Sequence, residues 1–144
     1  MVTVMELSND LIRDTLICIE SRLECFTDDS GRFNNSSLLS WKNIYEDELL
    51  DSKYHIDDIK YCIIKLSEAN FISVSIPGRK DKISVLYINS ITYDGHMFLN
   101  SIKDEGLWSE IKSRLGNSAK VSISIISKVI TEVGSSYLKS IFGL

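Results

Sequence analysis

The feature that most limits how this chain can fold is a change of period within residues 57–88. From Asp57 onward, Ile59, Cys62, Ile63, Leu66 and Ala69 recur at steps of three and four. That spacing draws one apolar stripe along a helix. Asn70 follows, a residue that readily takes the left-handed conformation closing many helices. The period then drops to two: Phe71-Ile72-Ser73-Val74-Ser75-Ile76 places Ile72, Val74 and Ile76 on one face of a strand. Pro77-Gly78-Arg79-Lys80-Asp81-Lys82 reads as a turn with three basic residues, and residues 83–88 read as the return strand.

Two helices are predicted upstream. Ser8, Asn9 or Asp10 can cap the first, and Ile12, Leu16, Ile19, Leu23 and Phe26 form its stripe, with Leu11, Cys18 and Cys25 on the shoulder. That predicts four or five turns, followed by a polar surface loop over residues 27–37. A shorter helix is expected after Ser40, with Trp41, Ile44, Tyr45, Leu49 and Leu50 on its apolar side and a break at residues 51–53. Asp57 is the expected cap of the third helix. Three helices and then a two-stranded ribbon with a basic tip is the winged helix-turn-helix order. The predicted fold class is therefore mainly α with a small β-hairpin (α+β), a winged helix-turn-helix over residues 1–90.

Residues 91–144 are expected to add helices that pack on this core or dimerise. Thr92 caps the next helix, in which Gly95 suits a close backbone approach to the hairpin. A break at Glu105-Gly106 precedes Leu107, Trp108, Ile111 and Leu115. After Gly116-Asn117, a last helix carries Ile126, Val129, Ile130, Val133, Tyr137, Ile141 and Phe142 at helical spacing, interrupted by Gly134.

Three runs resemble a known family. They are Asn9-Asp10-Leu11-Ile12-Arg13-Asp14, the stretch from Tyr61 through Leu66-Ser67-Glu68-Ala69-Asn70-Phe71-Ile72, and Ile91-Thr92-Tyr93-Asp94-Gly95-His96-Met97-Phe98-Leu99-Asn100-Ser101-Ile102-Lys103-Asp104 with Trp108 after it. Together they resemble the domain of unknown function 2513, found in bacteria and their phages. Asn70 stands where that family usually has glycine, and Tyr93-Asp94 replaces a commoner Trp-Glu pair. The resemblance implies a winged-helix-like fold in a mobile-element context and assigns no activity to any residue.

Charge is unevenly spread. Residues 1–70 carry seven basic and fourteen acidic side chains, residues 71–105 four of each, and residues 106–144 five basic and two acidic. A polyanion is thus opposed by the first half and tolerated by the rest. The leading functional expectation is binding to double-stranded DNA, with Lys60, Tyr61 and Lys65 on the third helix and Arg79, Lys80 and Lys82 on the wing. Asp57 and Asp58 at the start of that helix count against it. The alternative is a protein-interaction module or homodimer using Ile64, Trp108, Val129, Val133, Tyr137 and Ile141, with Trp41 a further aromatic anchor unless it belongs to the core. Lys120, Lys128 and Lys139 beside the apolar stripe raise contact of the last helix with a membrane surface, although its polar face is mostly serine.

No enzymatic motif is present: there is no Gly-rich phosphate loop, HExxH or nucleophile elbow. His55 and His96 are read as structural, and the cysteines Cys18, Cys25 and Cys62 follow no disulfide or zinc spacing. The expectation is therefore a non-enzyme with no catalytic residue, metal, cofactor or small-molecule substrate. The start lacks a secretory signal and no stretch approaches a membrane span, so a cytoplasmic protein is expected.

Overall fold

The computed structural model describes residues 7–23, 25–27, 29–35, 39–78, 83–115 and 123–142. The chain is mainly helical with a small antiparallel sheet. Helix α1 (Asn9–Arg22) starts where the Ser8 side chain accepts from Leu11 N, and it buries Leu11, Ile12, Leu16 and Ile19. It ends earlier than its apolar pattern suggests. Leu23 is already extended, and Phe26 lies in strand β1 (Cys25–Thr27), not on the helix. Strand β1 pairs with β2 (Phe33–Asn35) across a turn containing Gly31 at φ 83°. The loop expected over residues 27–37 is thus partly a hairpin. Ladder bonds between distant residues decided this, and helical periodicity cannot register them.

The helix expected after Ser40 is two short ones. Strand β3 (Leu39–Ser40) leads into α2 (Trp41–Tyr45), where Asn43 Oδ1 accepts from Ser40 N at 3.0 Å. Helix α3 (Glu48–Asp51) follows because Asp47 caps it, accepting from Leu49 N at 3.0 Å. Arg22 holds the same carboxylate through Nη2 at 2.7 Å and Nε at 3.0 Å, which fixes the corner.

Helix α4 (Ile56–Glu68) buries Ile59, Cys62, Ile63 and Leu66 of the stripe the sequence predicts, while Ala69 is its half-buried C-cap. Its cap is His55 instead of Asp57: His55 Nδ1 accepts from Asp57 N at 3.1 Å. At the far end Asn70 has φ 64°. Its N–H donates to Ser67 O, and Phe71 N donates to Leu66 O. This pair of bonds is the Schellman closure, which satisfies two carbonyls left open by the last turn and reverses the chain into the sheet.

The sheet has strand order β3-β5-β4, with β4 (Ile72–Ser75) and β5 (Tyr87–Ile91) antiparallel and β3 on the other edge of β5. The return strand therefore lies several residues later than the expected 83–88. Ile88 faces both Leu39 and Val74 in register and is fully buried. Pairing on two sides selects this register over the one that alternation alone suggests. The ladder shifts between Ser73 and Val74, leaving Asn89 as the extra residue of a bulge.

Helix α5 (Tyr93–Lys103) is tied to the α4–β4 corner. The Thr92 hydroxyl donates to Asn70 O at 2.6 Å and accepts from Gly95 N at 3.0 Å, while Thr92 N donates to Phe71 O. Gly95 permits the close packing here, because a Cβ at this position would clash with the main-chain oxygen of Phe71. The break before the next helix falls at Asp104, whose side chain accepts from Leu107 N at 2.8 Å. Glu105 and Gly106 are inside α6 (Glu105–Leu115). Helix α7 (Ile123–Phe142) continues through Gly134 and lies along α6 and α5.

One core runs through these elements. Ile12, Leu16 and Ile19 of α1, the α4 stripe, Leu86 and Ile88 at the sheet, and Leu99 and Ile102 of α5 have no exposed surface. Burying each such side chain stabilises the fold by about 1.5–3 kcal/mol before the entropy of ordering the chain is subtracted.

Candidate functional site

The outward side of α4 is the first place to look for a binding surface, and its cations are engaged within the molecule. Lys65 Nζ lies 2.8 Å from Glu68 Oε2 and 5.2 Å from the Tyr61 ring. The Glu68 carboxylate raises the Lys65 pKa above its ordinary value. Lys60 Nζ sits 5.1 Å from the Trp41 ring and 5.2 Å from the Tyr45 ring, held by the negative faces of both. Asp57 and Asp58 occupy the first turn of α4, the turn whose N-terminal amides favour carboxylates over cations.

Two recesses flank the segment that enters β5. On one side, Ser40, Trp41, Lys42, Tyr45, Ser84, Val85 and Tyr87 line a cavity of about 370 Å³. Trp41 is buried at 4% exposure, while Tyr45 and Tyr87 are half-buried and Val85 is exposed. Lys42 approaches Glu46 only to 4.0 Å, with both side chains well exposed. An ion pair of that geometry contributes little and exchanges readily for another anion. On the other side, Ile64, Ser67, Glu68, Val74, Ile76, Ile83 and Leu86 line a more aliphatic groove of about 410 Å³.

The residues singled out from the sequence are thus spread over several surroundings. Lys60 adjoins the aromatic recess, Lys65 pairs with Glu68 and lies over the Tyr61 ring, and Ile64 lines the aliphatic groove. Arg79, Lys80 and Lys82 lie outside the described residues. Trp108 is a core side chain at 6% exposure. Val133 is buried and Val129 half-buried along α7. Tyr137 and Ile141 belong to α7, with side chains outside the described set. Sequence reasoning missed Lys42, Ser84 and Tyr87, and treated Tyr45 only as part of an apolar face. The spacing Trp41-Lys42-x-x-Tyr45 carried a signal, since positions four apart meet on one helix face.

A second polar groove of about 540 Å³ lies between α1, the residues before α4, and α6. Its side chains are largely paired with each other. Tyr54 Oη donates to Asp14 Oδ2 at 2.7 Å, Trp108 Nε1 donates to Asp10 Oδ1 at 3.4 Å, and Lys112 Nζ is 3.2 Å from the same oxygen. Arg13 donates through Nε to Ile102 O and through Nη2 to Lys103 O, and its guanidinium is 5.7 Å from the Trp108 ring. Arg13 therefore satisfies carbonyls at the C-terminus of α5, the end of a helix that favours a cation. Burial, with the Asp14 bond, pushes the Tyr54 phenol well above its ordinary pKa.

Both buried thiols are held protonated. Burial raises Cys62 to about 12, against a smaller lowering by the Thr15 hydroxyl, and raises Cys18 to about 11, with Asp47 adding to the effect. Among the described residues, no group of three His, Cys, Asp or Glu side chains is placed to hold a metal ion. Among them also, no helix is long and apolar enough to cross a membrane.

These features define a mainly helical α+β domain whose small antiparallel sheet is flanked by an aromatic, basic recess on one side and an aliphatic groove on the other. The chain belongs to the family described as hypothetical protein (DUF2513), which matches residues 6–122. No curated protein and no solved structure matches it.

The three runs that carry the family resemblance have structural tasks. Asp10, Arg13 and Asp14 clamp α1 to Trp108, α5 and Tyr54. The second run closes α4 and turns the chain, and the third supplies the Thr92 cap and the Gly95 contact.

Proposed function

We propose that this is a winged-helix protein that acts by binding nucleic acid, and that its contact surface is the sheet side of the domain rather than the outward side of α4. The element order α1, β1–β2 hairpin, β3, α2–α3, α4, β4, β5 with strand order β3-β5-β4 supports a winged-helix reading in which the β1–β2 hairpin is an insertion after α1. In that scheme the segment carrying Arg79, Lys80 and Lys82, expected from the sequence to be a turn, would be the wing. A DNA-reading third helix needs free cations and donors at its leading end; here that end carries Asp57 and Asp58, and Lys65 is neutralised by Glu68.

The observation that carries the reading is the recess lined by Trp41, Lys42, Tyr45 and Tyr87, with Lys60 beside it. Cations interleaved with aromatic rings suit phosphates and bases together. Its lining resumes at Ser84, two residues after Lys82 in the chain. The acidic balance of residues 1–70 opposes polyanions at long range, so affinity has to come from this local patch and to fall steeply with salt.

The direct test is fluorescence anisotropy with labelled 20-residue oligonucleotides at 50 mM salt. Binding weakened by Arg79→Glu with Lys80→Glu, and by Lys42→Glu, is the expected result. Absence of binding, or binding indifferent to those changes, defeats the reading.

One observation favours a second reading, a protein-docking module. Ile64 on α4 and Val74, Ile76 and Ile83 form an aliphatic groove beside Glu68, the kind of surface that anchors a partner's apolar side chain. A partner captured by the wild-type chain and lost with Ile64→Glu, in the absence of nucleic acid, would establish it.

A further inference from the structure

We infer that the recess between α2 and the start of β5 holds an unpaired nucleobase together with its phosphate, so that the preferred nucleic acid is single-stranded. The inference rests on the nucleic-acid reading above and specifies which form of the polymer is bound. Base pairs within a duplex offer a protein only their edges, because their ring faces are covered by neighbouring pairs. An α-helix can read such edges from the major groove, but α4 presents an acidic first turn and a lysine already paired with Glu68. The recess has the opposite character. It is concave, with a volume of about 370 Å³ that falls in the range of small-ligand sites. Two of its lining side chains, Tyr45 and Tyr87, are half-buried aromatic rings, and the buried Trp41 ring forms part of its floor.

Such a site takes a ring face, and only an unstacked base can present one. Lys42 and Lys60 supply the charge for the phosphate. Lys60 forms no ion pair among the described residues and is held by the Trp41 and Tyr45 rings, while the Lys42–Glu46 pair is loose. The hydroxyls of Ser40 and Ser84 give the same lining polar partners for a base edge or sugar. Recognition by ring stacking and phosphate charge is tolerant of sequence, since every base has a π-face.

The experiment is a comparison of labelled dT12, dA12 and a 12-base-pair duplex by anisotropy, with thymidine monophosphate and inorganic phosphate as competitors. The expected result is single strands bound at least tenfold more tightly than the duplex. Tyr45→Ala and Tyr87→Ala should each weaken dT12 about tenfold, the scale of one lost stacking contact. Tyr45→Phe and Tyr87→Phe should restore binding, because the ring is what matters. Lys42→Glu, on a side chain 64% exposed, tests the phosphate contact without disturbing the fold.

A single strand preferred over monophosphate supports a polymer ligand. Monophosphate that matches dT12 base for base overturns the single-strand assignment and gives the recess to a free nucleotide. A duplex bound as well as single strands, or tyrosine variants without effect, overturns the inference and leaves the general nucleic-acid reading standing. If no oligonucleotide binds at all, both fall together.

Discussion

Replacing Gly95 by alanine sets two physical effects against each other, and the structure decides the sign. Judged by helix propensity alone, alanine within α5 should stabilise the protein by about 1 kcal/mol. The added Cβ, however, would stand 2.0 Å from Phe71 O, 2.8 Å from Phe71 C and 2.9 Å from Ile91 Cγ2. Bringing the oxygen out to an ordinary 3.4 Å contact requires α5 and the α4–β4 corner to separate by about 1.4 Å. The obstacle is main chain, so no side-chain rotation relieves it. Thr92 N bonds to that same Phe71 oxygen at 3.0 Å, and the Phe71 and Phe98 rings meet at 4.6 Å.

Overpacking of this kind costs about 1–3 kcal/mol, and losing the Thr92–Phe71 bond about 1 kcal/mol more. After the propensity gain, Gly95→Ala should be less stable by about 1–3 kcal/mol, equivalent to a fall in Tm of about 3–12 °C for a chain of this size. Urea denaturation followed by far-ultraviolet circular dichroism measures it directly. The midpoint should drop while the m-value stays constant, as for a loss of stability without a change in exposed surface. A variant as stable as wild type, or more so, would show that α5 does not press on the hairpin corner as described.

Three further outcomes are expected. Arg13→Ala should cost about 1–2 kcal/mol in the same assay, because the carbonyls of Ile102 and Lys103 lose a forked donor; Arg13→Lys should not rescue it, having no planar fork to reach both. Asp47 has its pKa lowered by the Arg22 guanidinium, so its stabilisation is present above the unfolded carboxylate pKa of about 3.9 and disappears as pH falls through the lower folded value. The Tm difference between wild type and Asp47→Asn should therefore be fully present well above about pH 4 and shrink as pH falls below it, through the lowered folded value; a difference that stays constant as the pH is lowered would contradict it. Cys18 and Cys62, raised to about 11 and about 12, should resist alkylation by iodoacetamide at pH 8 until the protein is unfolded, as read by mass spectrometry of the modified peptides. Rapid labelling of either thiol in native conditions would mean that the core opens more readily than its packing implies.

Much of this fold was legible because it rests on local rules. The α4 stripe, the left-handed Asn70, the Thr92 cap and the close approach at Gly95 can each be read from a few neighbouring residues, since helix period, caps and φ preference act over one or two turns. The same locality explains the errors. Phe26 fits the α1 stripe in period yet pairs in β1, and the expected helix after Ser40 divides because Asp47 is drawn to Arg22, which lies 25 residues away. The register of β5 was set by a second neighbour, β3, whose two residues carry no strand pattern of their own.

The candidate site followed the same division. Sequence placed lysines and aromatic residues near one another along the chain, but only tertiary packing decided how each is used. It paired Lys65 with Glu68, laid Lys60 over Trp41 and Tyr45, buried Trp108 against Asp10 and Arg13, and brought Tyr87 to Lys42. Periodicity fixes which face of an element is apolar. Which partner a charge or ring meets depends on distances between residues far apart in the chain, and those distances exist only once the core has closed.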